Sequence, residues 1–393
     1  MLLAGMLVDP SRLENITITG LSLDSRDVES GYLFLSLAKD NQQREQNLKQ
    51  ALAAEVGVVL FDAEQALSEH ETHLLKQAKV SVHPVKKLAD KAGEIAARFY
   101  GHPSLALTVV AVTGTNGKTS VSQFIAQALE FLGLPCGVIG TLGVGRLADL
   151  HYTSMTTPDP VSVQKTLAGF CQQGIKYAVI EASSHALEQG RLNSITIDVA
   201  VLTNLSRDHL DYHGDMAGYA AAKSKLFDFS SVKSAVINSA DSLGQTLIKA
   251  LAEKDNVDVV TYDCSGDRNA DYQVNDIKLS SNGMSFELNN DLGSAKIDSP
   301  LLGQFNSENL LASFASLIAV DIPFDQAVTA IKQCHAVDGR MQSYGGNNHV
   351  NVVIDFAHTP DALTQALISL QAHIPAKGDL WCVFGCGGDR DTG

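Results

Sequence analysis

Four stretches of the chain carry residue types at spacings that can do chemistry. Thr113-Gly114-Thr115-Asn116-Gly117-Lys118-Thr119 follows an apolar run and opens an amphipathic one, the setting of a phosphate-binding loop. Its glycines let the backbone approach an anion, and successive amides at the helix N-terminus would point at it. Lys118 would reach the β/γ oxygens of a nucleotide, and the Thr119 hydroxyl a magnesium ion. Val112 stands where the strict GxxxxGK[ST] pattern has its first glycine, so the competing reading is a plain strand-to-helix turn. Glu181 ends the apolar run Tyr177–Ile180; a carboxylate at the C-terminal end of a parallel strand faces the ligand crevice and can hold magnesium, or else it caps a helix or meets solvent. Thr203–Gly214 clusters Asp208, His209, Asp211 and His213; the histidine spacing would suit zinc on a helix, whereas Gly214 and the absence of helical periodicity favour a loop. Lys223 lies in an Ala-rich helical stretch. It is either a snorkelling surface lysine or a desolvated amine able to take up carbon dioxide as a carbamate, a ligand for a hard metal.

The elements that must hold these residues have an α/β pattern. Early strands are predicted at Gly31–Leu37 and Val56–Phe61 with a helix over Asn47–Glu55. Apolar spacing predicts a helix from Val85 to Phe99, closed by the Gly and Pro of Tyr100–Ser104, and a domain junction lies there. Beyond it Leu107–Val112, Tyr177–Ile180, Val199–Leu202 and Ala235–Ile237 are buried strands alternating with helices, which implies a parallel sheet. Ile277–Leu288 is predicted to be a hairpin turning at Ser281-Asn282-Gly283, and Asn306–Ala319 an amphipathic helix. Near Ala336–Arg340 the pattern restarts, with strands at Val350–Asp355 and Leu380–Phe384 around a helix at Pro360–Leu370.

At 393 residues the chain has room for two to three domains. Its 45% hydrophobic and 19% charged residues mark a globular protein. A net charge of −15 argues against general nucleic-acid binding, while leaving a local pocket free to take a nucleotide. Six scattered cysteines without a CxxC suit a reducing compartment. The start of the chain lacks a basic signal-peptide region and no apolar run has membrane-spanning length, so a soluble cytoplasmic protein is expected.

Taken together, these stretches resemble the Mur ligase family. The resemblance is carried by LDSR at Leu23–Arg26, TGTNGKT at Thr113–Thr119, TTPD at Thr156–Asp159 and EASSHALEQGR at Glu181–Arg191. It continues through TNLSRDHLDYHG at Thr203–Gly214, GQFNSEN at Gly303–Asn309, DGRM at Asp338–Met341, DFAHTPDAL at Asp355–Leu363 and FGCGGDRD at Phe384–Asp391. It implies a three-domain α/β architecture: residues 1–88 binding a UDP precursor, 89–336 a central P-loop, parallel-sheet ATPase, and 337–393 the start of a Rossmann-like domain for the incoming amino acid. By matching position, Leu23 and Ser25 would contact the uridine end. Thr156, Thr157, Ser183, Gln189 and Arg191 would contact a muramoyl-dipeptide. The ATP loop would be Gly114, Thr115, Asn116, Gly117, Lys118, Thr119 and Ser120. Lys223 matches the lysine the family carbamylates, with Thr119, Glu181 and His209 near magnesium. Lys118, Lys223, His209 and Arg340 would be catalytic, with Arg340 brought to the ATP phosphates, and Arg390 would contact diaminopimelate. Lys39–Arg44 departs from the family's Gly-His-rich turn near the uracil.

The implied reaction, in peptidoglycan precursor synthesis, is ATP- and magnesium-dependent addition of meso-2,6-diaminopimelate to the D-glutamate of UDP-N-acetylmuramoyl-L-alanyl-D-glutamate through an acyl phosphate. The alternatives are a lysine-adding ligase, a ligase like folylpolyglutamate synthase, and a non-catalytic nucleotide-binding protein. A monomer is expected. The family's Asp-Asn-Pro-Arg motif does not occur before Gly393, so the third domain is expected to be incomplete, and this chain to bind nucleotides without completing ligation.

Overall fold

The structure is a computed structural model that describes residues 2–8, 16–266, 269–291, 293–345, 350–358, 360–375 and 378–385. In chain order the early elements are β1 (Leu21–Ser22), β2 (Leu33–Ser36), α1 (Asn41–Ala53), β3 (Val58–Asp62), α2 (Glu69–Ala78), β4 (Ser81–Val85) and α3 (Leu88–Phe99). Then come β5 (Thr108–Thr113), α4 (Lys118–Phe131), β6 (Cys136–Gly140), β7 (Gly143–Arg146), β8 (Asp149–His151), α5 (Pro160–Gln172), β9 (Tyr177–Glu181) and α6 (Ser184–Glu188). They are followed by β10 (Val199–Leu202), α7 (Leu210–His213), α8 (Met216–Ser224), β11 (Ser234–Asn238), α9 (Ser242–Leu251) and β12 (Asp258–Asp263). The last are β13 (Tyr272–Ser280), β14 (Gly283–Asn290), β15 (Gly293–Ser299), α10 (Phe305–Ala319), α11 (Phe324–Ile331), β16 (Gln342–Tyr344), β17 (Val352–Ile354) and α12 (Pro360–Gln371). The chain folds into two compact units, one of residues 1–115, 134–200 and 206–235 and a second of 116–133, 201–205 and 236–393.

In the first unit β1-β2-β3-β4 form a parallel sheet in that order. Successive side chains of a strand point to opposite faces, and the cores follow that rule. Leu33, Leu35, Val58 and Leu60 pack with Leu88 and Ile95 of α3 on one side. Phe34 and Val59 pack with Leu48 and Ala51 of α1 and Leu75 of α2 on the other. The helix starts are chemically marked. Asp40 caps α1 by accepting from the Gln43 amide at 2.8 Å. Ser68 and Glu71 form a capping box on α2. Helix α1 therefore begins at Asn41, well before the expected Asn47, and takes in most of the Lys39–Arg44 stretch. The same unit orders its other strands β5-β9-β6-β7-β8, with β5, β9 and β6 parallel.

In the second unit β12 and β13 are parallel, and β13-β14-β15 run antiparallel, with the expected hairpin turning at Ser281-Asn282. Helix α10 is buried along Leu310, Leu311 and Phe314 and packs on α4, the Ser313 hydroxyl donating to Asn309 O at 2.7 Å. A small core of Leu302, Met341 and Ala366 seats α12. His373, just past that helix, bridges two backbone groups: Nε2 lies 2.8 Å from the Gly303 amide and Nδ1 2.6 Å from Ser280 O. The expected strand Leu380–Phe384 does not form. The segment joins no ladder, and Trp381 and Val383 are almost fully exposed. A strand needs a hydrogen-bonded neighbour, and β17 pairs only with β16 among the described residues.

Candidate active site

The pairing Ile139↔Ile180 sets the ends of β6 and β9 side by side, and this register builds the carboxylate site of the first unit. Glu181 is fully buried, and Thr141 donates to it twice, from its amide at 2.9 Å and from its hydroxyl at 3.0 Å. Gly140 is required here because a Cβ would collide with Glu181 Oε1. The Thr141 hydroxyl also meets that of Thr156 at 3.1 Å. Thr157 donates to Glu181 O at 2.5 Å and lies 3.2 Å from the Ser183 hydroxyl, which caps α6. Arg191 donates to Thr157 O at 2.7 Å and to Gln189 Oε1 at 2.6 and 3.0 Å. Gln189 in turn donates to Tyr212 Oη at 3.0 Å. Burial lowers the Arg191 pKa from its ordinary value. Five residues predicted to contact a muramoyl-dipeptide, Thr156, Thr157, Ser183, Gln189 and Arg191, are thus brought into one network beside Glu181.

The segment after β10 runs as the expected loop as far as His209 and then closes in one helical turn, α7, which the sequence did not announce; His209 enters it in the left-handed region at φ 52°. His209 and His213 pack their rings with His185, Tyr212 and Tyr219. Burial, with the neighbouring imidazoles adding to it, holds His185 below the usual histidine range. The phenol of Tyr219 is pushed up to about 12 by burial. Tyr219 Oη lies 3.3 Å from the Thr115 hydroxyl, which donates to Ser206 O at 3.1 Å. Lys223, only 1% exposed, donates to Gly114 O at 2.6 Å and lies 4.3 Å from the Tyr219 ring centroid. Its surface-snorkelling alternative is therefore excluded. The neighbouring Lys225 is the partly exposed lysine, paired with Glu188 at 2.6 Å.

The second unit holds the rest of the phosphate loop. Gly117 opens α4 at φ +85° with no side-chain cap, and a Cβ there would collide with Asn309 Oδ1. Asn309 is oriented by its amide donating to Asn306 Oδ1 at 2.9 Å, and Asn306 by Leu302 O at 2.7 Å. The Asn116 amide donates to Asn204 Oδ1 at 3.0 Å, while Thr203 and Asn204 donate to Asn116 O at 2.6 and 3.2 Å. Lys118 and the buried Thr119 and Ser120 occupy the first turn of α4. A backbone wrapped in this way, at a helix start without a side-chain cap, presents an anion-binding geometry. Arg340 stacks on Phe356, its guanidinium carbon 4.8 Å from the ring centroid. Arg390 lies outside the described residues.

Thr141, Asn204, Asn306 and Asn309 are site-building residues that no chemical pattern singles out. The GQFNSEN stretch contains the last two but assigns them no role, and Thr141 is marked only by the strand register. No three His, Cys, Asp or Glu side chains converge as a metal cage among the described residues. Magnesium fits such a site, since it is commonly held by one or two carboxylates and the substrate phosphates instead of an all-protein shell. Also among the described residues, no helix is long and apolar enough to cross a membrane.

The family model for the Mur ligase middle domain matches residues 112–317, and that for the Mur ligase glutamate ligase domain matches 339–393. Proteins named UDP-N-acetylmuramoyl-L-alanyl-D-glutamate–2,6-diaminopimelate ligase are similar over nearly the whole chain. The one from Coxiella burnetii is 42% identical over 96% of this chain and 76% of its own length. The one from Pseudomonas aeruginosa is 42% identical over 98% and 76%. A solved structure of an enzyme of that name superposes with a TM-score of 0.79 at 38% identity, covering 95% of this chain and 74% of its own. A folylpolyglutamate synthase from Mycobacterium tuberculosis, at 20% identity and TM-score 0.59 over 72% of this chain, shares the fold alone.

Proposed function

Because the chain belongs to the Mur ligase family of ATP-dependent ligases, we propose that it joins 2,6-diaminopimelate to the D-glutamate of UDP-N-acetylmuramoyl-L-alanyl-D-glutamate. The observation that carries this reading is the network of Thr156, Thr157, Ser183, Gln189 and Arg191 beside the buried Glu181. It offers a cation and several hydroxyls to an acidic dipeptide. The glutamate side-chain carboxylate attacks the γ-phosphorus of ATP, the bond to the bridging oxygen breaks, and ADP leaves. The amine then attacks the acyl carbon, loses a proton, and phosphate departs with the C–O bonding pair. Positioning and charge neutralisation are the protein's share of such a step. Gly114 to Ser120 cradle the nucleotide phosphates, and Lys118 neutralises charge on the transferring group. Arg340 would reach the phosphates, and Arg390 the amino acid. Thr119, Glu181 and His209 would hold magnesium, which supplies Lewis-acid stabilisation of phosphoryl charge. On this reading residues 1–88 serve the UDP precursor, 89–336 the ATP and 337–393 the amino acid, in a cytoplasmic monomer.

A carbamate on Lys223 fits its surroundings. The carbamylated nitrogen keeps one hydrogen, enough to retain the bond to Gly114 O. Lys223→Ala should abolish ligation, with formate or acetate restoring part of it, whereas Lys225→Ala should keep most activity. Labelled bicarbonate should give a carbamate resonance in the native protein and none in Lys223→Ala. A carbamate signal that survives in Lys223→Ala would move the modification elsewhere. The reading as a whole is tested by phosphate release and product mass with the purified precursor. Release that needs precursor, ATP and diaminopimelate together is expected of the ligase reaction, and seeing it with residues 1–393 alone would overturn the expectation that this chain binds nucleotides without completing ligation. Equal rates with L-lysine would make this the lysine-adding reaction, and turnover on a folate substrate would replace the reading.

A further inference from the structure

In the second unit the residues after Leu202, the end of β10, form a strap, Thr203–Leu205, that belongs to no helix or strand. The backbone groups of such a segment have to be satisfied from outside it. On one side the strap serves the phosphate loop. The Thr203 hydroxyl and the Asn204 amino group donate to Asn116 O, and Asn204 Oδ1 accepts from the Asn116 amide. Both main-chain groups of Asn116 are thus taken by the strap, one residue before Gly117 and two before Lys118.

The strap is itself gripped by side chains of three further elements. Tyr262 of β12, only 1% exposed, donates its hydroxyl to Leu202 O at 3.0 Å. Burial above all holds its phenol well above the ordinary range, so the proton it donates stays in place. Asn238, the buried last residue of β11, donates from Nδ2 to Thr203 O at 2.9 Å. Its Oδ1 accepts from the Ala240 amide at 3.0 Å, and that second bond fixes which way round the carboxamide stands. Asp241 accepts from the Leu205 amide through Oδ2 at 2.7 Å, while its Oδ1 caps α9 by accepting from the Leu243 and Gly244 amides at 2.9 and 3.2 Å. Gly244 lets that helix start lie close against β11, since a Cβ there would collide with Asn238 O. Three backbone groups, Leu202 O, Thr203 O and the Leu205 amide, are therefore pinned within four residues. A binding loop has to be held to within about 0.5 Å by groups that are themselves locked, and this grip meets that requirement for Asn116.

We propose that Asn238 and Tyr262 are positioning residues for nucleotide binding: through the Thr203–Leu205 strap they hold Asn116, and with it the phosphate loop, in the geometry that receives the phosphates. This rests on the reading that Gly114 to Ser120 cradle a nucleotide. Calorimetric titration of the whole chain with ATP and magnesium, well below its melting transition, tests it. Tyr262→Phe keeps the ring and removes only the hydroxyl. Asn238→Leu keeps the branched shape and removes both amide groups. Asp241 is left intact because it also caps α9. Each variant should bind ATP about fivefold more weakly, the worth of one hydrogen bond whose buried partner is left unmet. Leu247→Ala, a buried apolar position of α9 with no bond to the strap, is the control. It should lower the melting temperature at least as much and leave ATP affinity at the native value. Native affinity in either strap variant would remove that residue from the role, and in both would overturn the proposal. An equal loss of affinity in Leu247→Ala would overturn it too, since general loosening of the unit would then suffice. If the native chain itself fails to bind ATP, the reading of the phosphate loop fails, and the positioning role with it.

Discussion

In the proposed reaction Lys118 is the residue on which the ATP chemistry turns most directly. It sits in the first turn of α4, after a loop whose backbone is held by Thr203 and Asn204. On the proposed reading, Lys118→Ala keeps that loop geometry and removes the one positive charge meant for the transferring group. The expected loss is about 2–4 kcal/mol of barrier, read as a fall in ATP turnover under saturating substrate. A variant retaining more than a tenth of the native rate would remove Lys118 from that role. The loop lysine, Glu181, His209 and Lys223 were all singled out by the sequence as candidates, because each follows a strand or lies in a helix with a marked composition. Thr141 and Asn309 were not. A threonine or asparagine carries no chemical signature of its own, and theirs comes only from strand register and helix packing.

At the scale of elements, hydrophobic period located about half of the strands and the helices α1, α3, α4, α10 and α12, but passed over others, among them α2, α5, α9 and β4. Pro84 argues against a strand, yet β4 lies at the edge of its sheet, where a missing N–H is tolerated. Helix α2 is polar along most of its length, and only its Ser68-x-x-Glu71 box announces it. That box is tied to α1 by a buried ion pair, Arg44 Nε to Glu71 Oε1 at 2.6 Å and Nη2 to Oε2 at 2.9 Å. Burial alone would raise the Glu71 carboxyl. The hydrogen bonds from Arg44 and Ser68 outweigh it and hold the group below its ordinary value of 4.5. A carboxyl whose folded pKa is depressed contributes stability that is complete above that ordinary value and is lost as pH falls through the lower, folded one. Glu71→Gln leaves the guanidinium buried without its counter-charge and should cost about 3–5 kcal/mol, with a flatter acid limb in the pH–stability profile. Urea unfolding at pH 7 and at successively lower pH measures both. Unchanged midpoints would show that the α1–α2 pair contributes nothing net.

For the molecule as a whole, the net charge of −15 must coexist with anionic ligands, which it does by concentrating function in local pockets instead of a general field. Stability is likewise uneven. The cores around β1–β4 are extensive, whereas α12 rests on a cluster of only Leu302, Met341 and Ala366 plus partly buried neighbours. His373→Ala should therefore speed amide exchange at Gly303 and through α12 while leaving exchange in β1–β4 unaltered. Uniform acceleration would mean that the effect is global. The two bonds of His373 also dictate what may replace it. Gly303 N–H can only donate and Ser280 O can only accept, so Nε2 must be the bare nitrogen and Nδ1 the protonated one. In that tautomer the ring is an acceptor and a donor separated by one carbon, the same pattern as a peptide unit. The side chain stands in for a length of main chain, joining the end of β13 to the start of the α10 segment. Glutamine or asparagine, each carrying an amide of that pattern, is then the conservative exchange, and arginine, which only donates, is the disruptive one despite its resemblance to a charged imidazole.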